Sequence, residues 1–87
     1  MSPEINILEV KKDDIVFLSD RVRSGELLNY IVRVTYNDID NENLIGYYCR
    51  ASEFIGLDCL VKYQGSFSYS SNYRVSILDI PDFDLGI

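Results

Sequence analysis

A small all-β protein, mainly antiparallel, is the fold class that the sequence predicts, and three observations predict it. Seven Tyr and four Phe, together with many Val and Ile, favour strands over helices. Residues 27–36, LLNYIVRVTY, alternate cleanly: Leu28, Tyr30, Val32, Val34 and Tyr36 share one face, and Asn29, Ile31, Arg33 and Thr35 share the other. That is the period of a half-buried antiparallel strand. Clusters of Gly, Ser, Asn and Asp interrupt the chain at short intervals, and no long stretch of helical period lies between them.

Taken in order, INILEV (5–10) and DIVFLS (14–19) read as strands, and RVRSGE (21–26) reads as the hairpin tip before the long strand. NDIDNEN (37–43) is rich in the Asn and Asp that suit a turn. LIGYYCRA (44–51) follows, with Ile45, Tyr47, Cys49 and Ala51 in core phase and Tyr48 and Arg50 opposite. SEFIGL (52–57) predicts one helical turn, opened by Ser52 and closed by Gly56, and is too short for more. DCLVKYQ (58–64) reads as a strand burying Cys59, Val61 and Tyr63, with Lys62 outward. GSFSYSSN (65–72) has the composition of a loop, and YRVSILDI (73–80) supplies the last strand through Tyr73, Val75 and Ile77. The sum is a five- to six-stranded barrel or rolled sheet, OB-like or SH3-like, with at most one short helical turn. Tyr30, Val32, Val34, Tyr47, Val61, Val75 and Ile77 are the expected centre of its core.

Eighty-seven residues suffice for one domain, placed at 1–80, followed by an acidic and aromatic C-terminal tail at 81–87. Hydrophobic residues make up 47% and charged ones 25%, an ordinary globular balance rather than a disordered one. No apolar run approaches the roughly 18 residues of a membrane span. The opening MSPEINILEVKKDD mixes acids with apolar residues and has no basic n-region, so the expectation is a cytoplasmic protein without membrane contact. Cys49 and Cys59, both in core phase, are expected to be reduced and buried.

The sequence has no histidine, which removes the usual general base near neutral pH and the commonest zinc ligand. The five glycines are scattered singly, so there is no phosphate-cradling loop. Asp38, Asp40 and Glu42 alternate like the start of a calcium loop, but Asn43 stands where the glycine belongs and Cys49 where the last acid belongs. The expectation is therefore no enzyme, no metal and no cofactor.

What distinguishes the chain is where its charge sits. Net charge is −6, from 14 acidic and 8 basic residues. The acids gather in turns and ends, which predicts a partner-binding set of Asp38, Asp40, Glu42, Asp82, Phe83 and Asp84. This reading makes the chain a non-catalytic protein-binding module, a regulator, adaptor or inhibitor, steered to a basic surface on another protein. The alternative follows from Arg33, Arg50, Lys62 and Arg74, which strict alternation places opposite the apolar stripe, with Tyr48, Phe67 and Tyr69 beside them. Rings that stack bases and cations that meet phosphates are how OB-type sheets hold single-stranded nucleic acid. In composition the final DIPDFDLGI resembles the acidic tip of bacterial single-stranded DNA-binding proteins, although it ends in Ile87 where such tips have an aromatic residue. That likeness implies a partner-recruiting tail. Either reading leaves room for a homodimer.

Overall fold

The computed structural model describes residues 4–21, 25, 27–69 and 73–78. Among these residues six strands form one antiparallel sheet: β1 (Glu4–Ile5), β2 (Ile15–Arg21), β3 (Leu27–Asp38), β4 (Asn43–Arg50), β5 (Tyr63–Ser68) and β6 (Arg74–Ile77). Their spatial order is β1-β6-β2-β3-β4-β5. Strands β2 to β5 are thus a meander, and β6 returns to lie between β1 and β2. β1 and β5 stay unpaired with each other among the described residues, so the sheet rolls without closing into a barrel. Among the described residues helical structure is limited to 3₁₀ turns at Ile7–Glu9, Ala51–Glu53 and Leu57–Leu60. Among the described residues no helix is long and apolar enough to cross a membrane.

The long alternating segment is β3, as expected, and it pairs with β2 from Ile15↔Arg33 to Arg21↔Leu27. The hairpin tip predicted at 21–26 lies for the most part outside the described residues. The inner face of β3 carries Tyr30, Val32 and Val34, which join Val10, Val16, Leu18, Leu44, Phe67 and Val75 in the main core. Val16, Leu18, Val32, Val34 and Leu44 are completely shielded from solvent. The sheet's other face is covered as well. The connection between β4 and β5 folds back over it, packing Leu60, Phe54, Leu57 and Cys59 against Ile31, Cys49, Ile15 and Phe17.

Several expectations are corrected by this two-sided burial. β4 turns Leu44 and Tyr48 to the main core and Tyr47 and Cys49 to the opposite face, because Tyr48 pairs with Val32 and Tyr47 with Arg33. Cys49 is buried, but in the second cluster. Tyr36 lies 57% exposed, because the register of β3 on β4 shifts between Val34 and Tyr36 and inverts the alternation there. Residues 57–60 form a 3₁₀ turn instead of a strand, leaving Val61 and Tyr63 exposed at 61% and 53% and Cys59 half-buried. Residues 65–68 of the loop expected at 65–72 belong to β5, whose Phe67 is buried, and 70–72 lie outside the described residues. Within INILEV only Ile5 is strand, as the second residue of β1, before a 3₁₀ turn where the Asn6 side chain accepts the Leu8 N–H.

One side chain ties the roll together at its lower end. Asn37 points to the inner face, where its Nδ2 donates to the carbonyls of Ile7 (3.0 Å) and Val10 (2.9 Å). Its Oδ1 accepts the hydroxyl of Tyr69. The N-terminal turn, β3 and the end of β5 are joined through this one amide.

Candidate functional site

Among the described residues β5 is the last strand of the sheet order, and the candidate site lies inward from it. β5 pairs with β4, its one neighbouring strand among the described residues, in register from Tyr48↔Tyr63 to Asn43↔Ser68. Its alternation turns Tyr63, Gly65 and Phe67 to the inner face. Gly65 faces Gly46 across the strands, so the inner face has a gap in that row. The gap is needed: a Cβ on Gly65 would stand 2.9 Å from Cε1 of Tyr48, and one on Gly46 would stand 2.3 Å from the Arg33 carbonyl oxygen. The Tyr48 ring leans over the bare backbone of Gly65, an aromatic cover for a strand glycine.

Around this gap the rings form one connected set. Tyr48 meets Tyr30 at 5.9 Å and Phe67 at 5.5 Å between centroids, both edge to face. Phe67 continues edge-on to Tyr73 at 5.9 Å, and Tyr63 lies 6.2 Å from Tyr48. Such geometries are the favoured ones for aromatic pairs. Between the rings is a groove of about 160 Å³, lined by Tyr30, Tyr48, Gly65, Ser66, Phe67 and Tyr73. That is the size of space that admits a benzene-sized group.

The four basic residues do not share a face. Arg50 lies directly opposite Tyr30, on the groove side and exposed at the end of β4. Lys62 is exposed next to the groove, its Nζ 5.4 Å from the Tyr63 ring centre. Arg33 faces the other way. Its Nε and Nη2 donate to the Leu60 carbonyl at 3.3 and 3.1 Å, and its guanidinium lies over the Tyr47 ring at 5.0 Å. Arg74 is exposed on that same reverse side, opposite Ser19. The nucleic-acid set is therefore divided: Tyr48, Phe67, Arg50 and Lys62 stand together, Arg33 and Arg74 lie behind the sheet, and Tyr69 is bound to Asn37.

The acidic set is also placed in part. Asp38 accepts the Asn41 N–H at 3.3 Å and its amide at 2.8 Å, which shapes the β3–β4 turn. Asp40 and Glu42 are exposed on that turn, and Glu42 adopts a left-handed backbone with φ of 56°. The Glu42 carbonyl accepts the N–H of Tyr69 at 2.9 Å, so the turn abuts the far end of β5. At eight residues from Tyr30, Asp38 stands about 26 Å along the strand from the aromatic end. Asp82, Phe83 and Asp84 lie outside the described residues. The β5 margin thus runs from an aromatic, basic end to an acidic one.

Burial acts on two titratable groups here. The Tyr69 hydroxyl has its pKa raised, first by desolvation and then by the Asp38 and Glu42 charges, against a lowering by its bond to Asn37. The Cys49 thiol is pushed up to about 11 by burial first and by Cys59 and Glu53 next. Among the described residues no group of three metal-ligating side chains is close enough to hold an ion.

Sequence reasoning missed Tyr30, Gly65, Ser66 and Tyr73 as groove residues. The signal that could have found them is a pair of lone glycines, Gly46 and Gly65, inside apolar segments, where a close approach is the usual reason for glycine. The class of molecule these features define is a small rolled antiparallel sheet with an aromatic groove beside β5. The chain matches no protein-family model, and neither a curated protein nor a solved structure matches it.

Proposed function

We propose that the chain is a non-catalytic protein-binding module that takes up an extended segment of a partner protein along β5. The observation that carries this reading is the aromatic groove at Gly65, lying beside a strand that ends the sheet order among the described residues. A strand added there would have the side chain opposite Gly65 on the inner face, over the groove, while main-chain hydrogen bonds hold the rest. Ile55, Val61 and Tyr63, exposed at 91%, 61% and 53%, lie in the β4–β5 connection and at the start of β5 and add apolar contact. At the far end Asp38, Asp40 and Glu42 favour a partner with a basic surface there, and steer its approach. The module works in the cytoplasm under this reading, as a regulator, adaptor or inhibitor.

The second reading is single-stranded nucleic-acid binding, supported by Arg50 and Lys62 standing beside the Tyr48 and Phe67 rings. It has the weaker support, because Phe67 is buried and Arg33 is engaged by the Leu60 carbonyl.

One experiment weighs the two. The wild-type protein and an Asp40→Lys, Glu42→Lys variant, whose net charge rises from −6 to −2 because each exchange adds two charges, are immobilised and exposed to lysate. Proteins retained by the wild type and released by added salt should be lost from the variant. A labelled oligothymidine should bind neither form. Oligothymidine binding with a steep salt dependence, or capture indifferent to the exchange and to Tyr63→Lys on β5, would overturn the protein-binding reading.

A further inference from the structure

Behind the sheet, away from β5, the two cysteines of the chain meet. Cys49 projects from β4 into the second core cluster, and Cys59, on the 3₁₀ turn Leu57–Leu60, packs into the same cluster from above. The neighbouring Cys59 adds to the rise in the pKa of the Cys49 thiol. Cys59 Sγ is further fixed in place, accepting the Ile55 N–H at 3.4 Å and donating to the Glu53 carbonyl at 3.4 Å. Both are free thiols. They differ in access: Cys49 is 5% exposed, and Cys59 is partly open to solvent.

We propose that Cys49 and Cys59 form an oxidisable dithiol site, which a peroxide converts to an intramolecular disulfide that fastens the β4–β5 connection to the sheet. Cys59, the accessible sulfur, attacks one peroxide oxygen. The O–O bond breaks, the departing hydroxide takes the thiol proton as water, and Cys59 becomes a sulfenic acid. The Cys49 sulfur then attacks the Cys59 sulfur. An S–S bond forms, the S–O bond breaks, and the Cys49 proton leaves with the hydroxide as a second water. Two thiols lose two electrons in all, and one peroxide becomes two waters.

Burial suits Cys49 to the second step, because it is kept from the oxidant and from solvent until its neighbour has reacted. The consequence falls on the segment 51–62. In the reduced protein it is held on the sheet by Leu60, which is fully buried, and by the Arg33 bonds to the Leu60 carbonyl. The disulfide adds a covalent tie between Cys59 and β4, close to the exposed Ile55 tip. This inference stands independently of the binding role proposed above.

The test uses the full chain and hydrogen peroxide. Samples are quenched over time, alkylated in denaturant and weighed intact. The expected product is a monomer lacking two hydrogens, with neither thiol alkylated, and dithiothreitol should restore both. Cys49→Ala should instead accumulate one oxygen on Cys59, trapped by dimedone. Protease cleavage within 51–62 should be slower in the oxidised wild type and return to its original rate on reduction. Oxygen addition to the wild type without loss of two hydrogens, disulfide-linked dimers on a non-reducing gel, or thiols that survive the peroxide would each overturn the proposal. Should Cys49→Ala fail to fold, the wild-type time course decides alone.

Discussion

Asn37 does more than its place in an Asn- and Asp-rich turn suggests. Its amide satisfies the carbonyls of Ile7 and Val10 and the hydroxyl of Tyr69, three groups from two other segments. Removing it strands all three at once, and an unsatisfied buried polar group costs about 1–3 kcal/mol. Asn37→Ala should therefore destabilise the protein by about 2–3 kcal/mol, a fall of roughly 10 °C or more in Tm for a domain of this size. Tyr69→Phe removes one bond of the three and should cost nearer to about 1 kcal/mol. Thermal unfolding of both variants checks the order. If Tyr69→Phe proved as damaging as Asn37→Ala, the amide would not be the centre of the junction.

Among the elements, β3 was the most legible, because one of its faces is polar enough for alternation to show. β4 was not. Its two faces, Leu44 and Tyr48 on one side and Ile45, Tyr47 and Cys49 on the other, are both apolar, since each meets a core cluster. Alternation then has no wet face to mark the phase, and a slip of one residue exchanges the sides. The irregularity beyond Val34 inverts Tyr36 without any glycine or proline to announce it. The β4–β5 connection misled in the other direction: CLVKY alternates like a strand, yet its residues are placed by Leu60, whose carbonyl is held by Arg33. The candidate site suffered from both effects, because the basic residues were assigned to one face by strict alternation. A direct consequence concerns Arg33 and Val61. Read as an outward residue, Arg33 would be dispensable and Val61 would not. The structure reverses them. Arg33→Ala should cost about 1.5–3 kcal/mol, the range for a hydrogen bond to a charged group, and Val61→Ala less than about 0.5 kcal/mol. Arg33→Lys should recover only part of the loss, since an ammonium does not reproduce the paired donors or the contact with the Tyr47 ring. Urea denaturation of the three variants measures this, and equal midpoints for Arg33→Ala and wild type would refute the anchoring role.

For the whole molecule, the inserted position of β6 makes the fold depend on contacts between distant parts of the chain. Val75 pairs with Ile5 on one side and Leu18 on the other, so the core cannot be completed until the last strand has docked. Folding also buries two weak acids, Cys49 under the β4–β5 connection and Tyr69 against Asn37, and that sets how stability responds to alkali. Folding raises the pKa of Cys49 from 9.0 to about 11, and that of Tyr69 also rises from its usual 10.0. Each folded state therefore holds its proton more tightly than the unfolded chain does. The stabilisation is fully present below pH 9 and is lost as pH climbs through the folded-state values. For Cys49 a shift of this size corresponds to about 2 kcal/mol of stability surrendered between pH 9 and 11. Urea midpoints should fall across that window with an unchanged m-value. In Cys49→Ala the midpoint starts lower at pH 8, because buried atoms are missing, but its decline toward pH 11 should be shallower, with the Tyr69 contribution left. A decline as steep in Cys49→Ala as in the wild type would place the alkaline sensitivity elsewhere and remove Cys49 from its account.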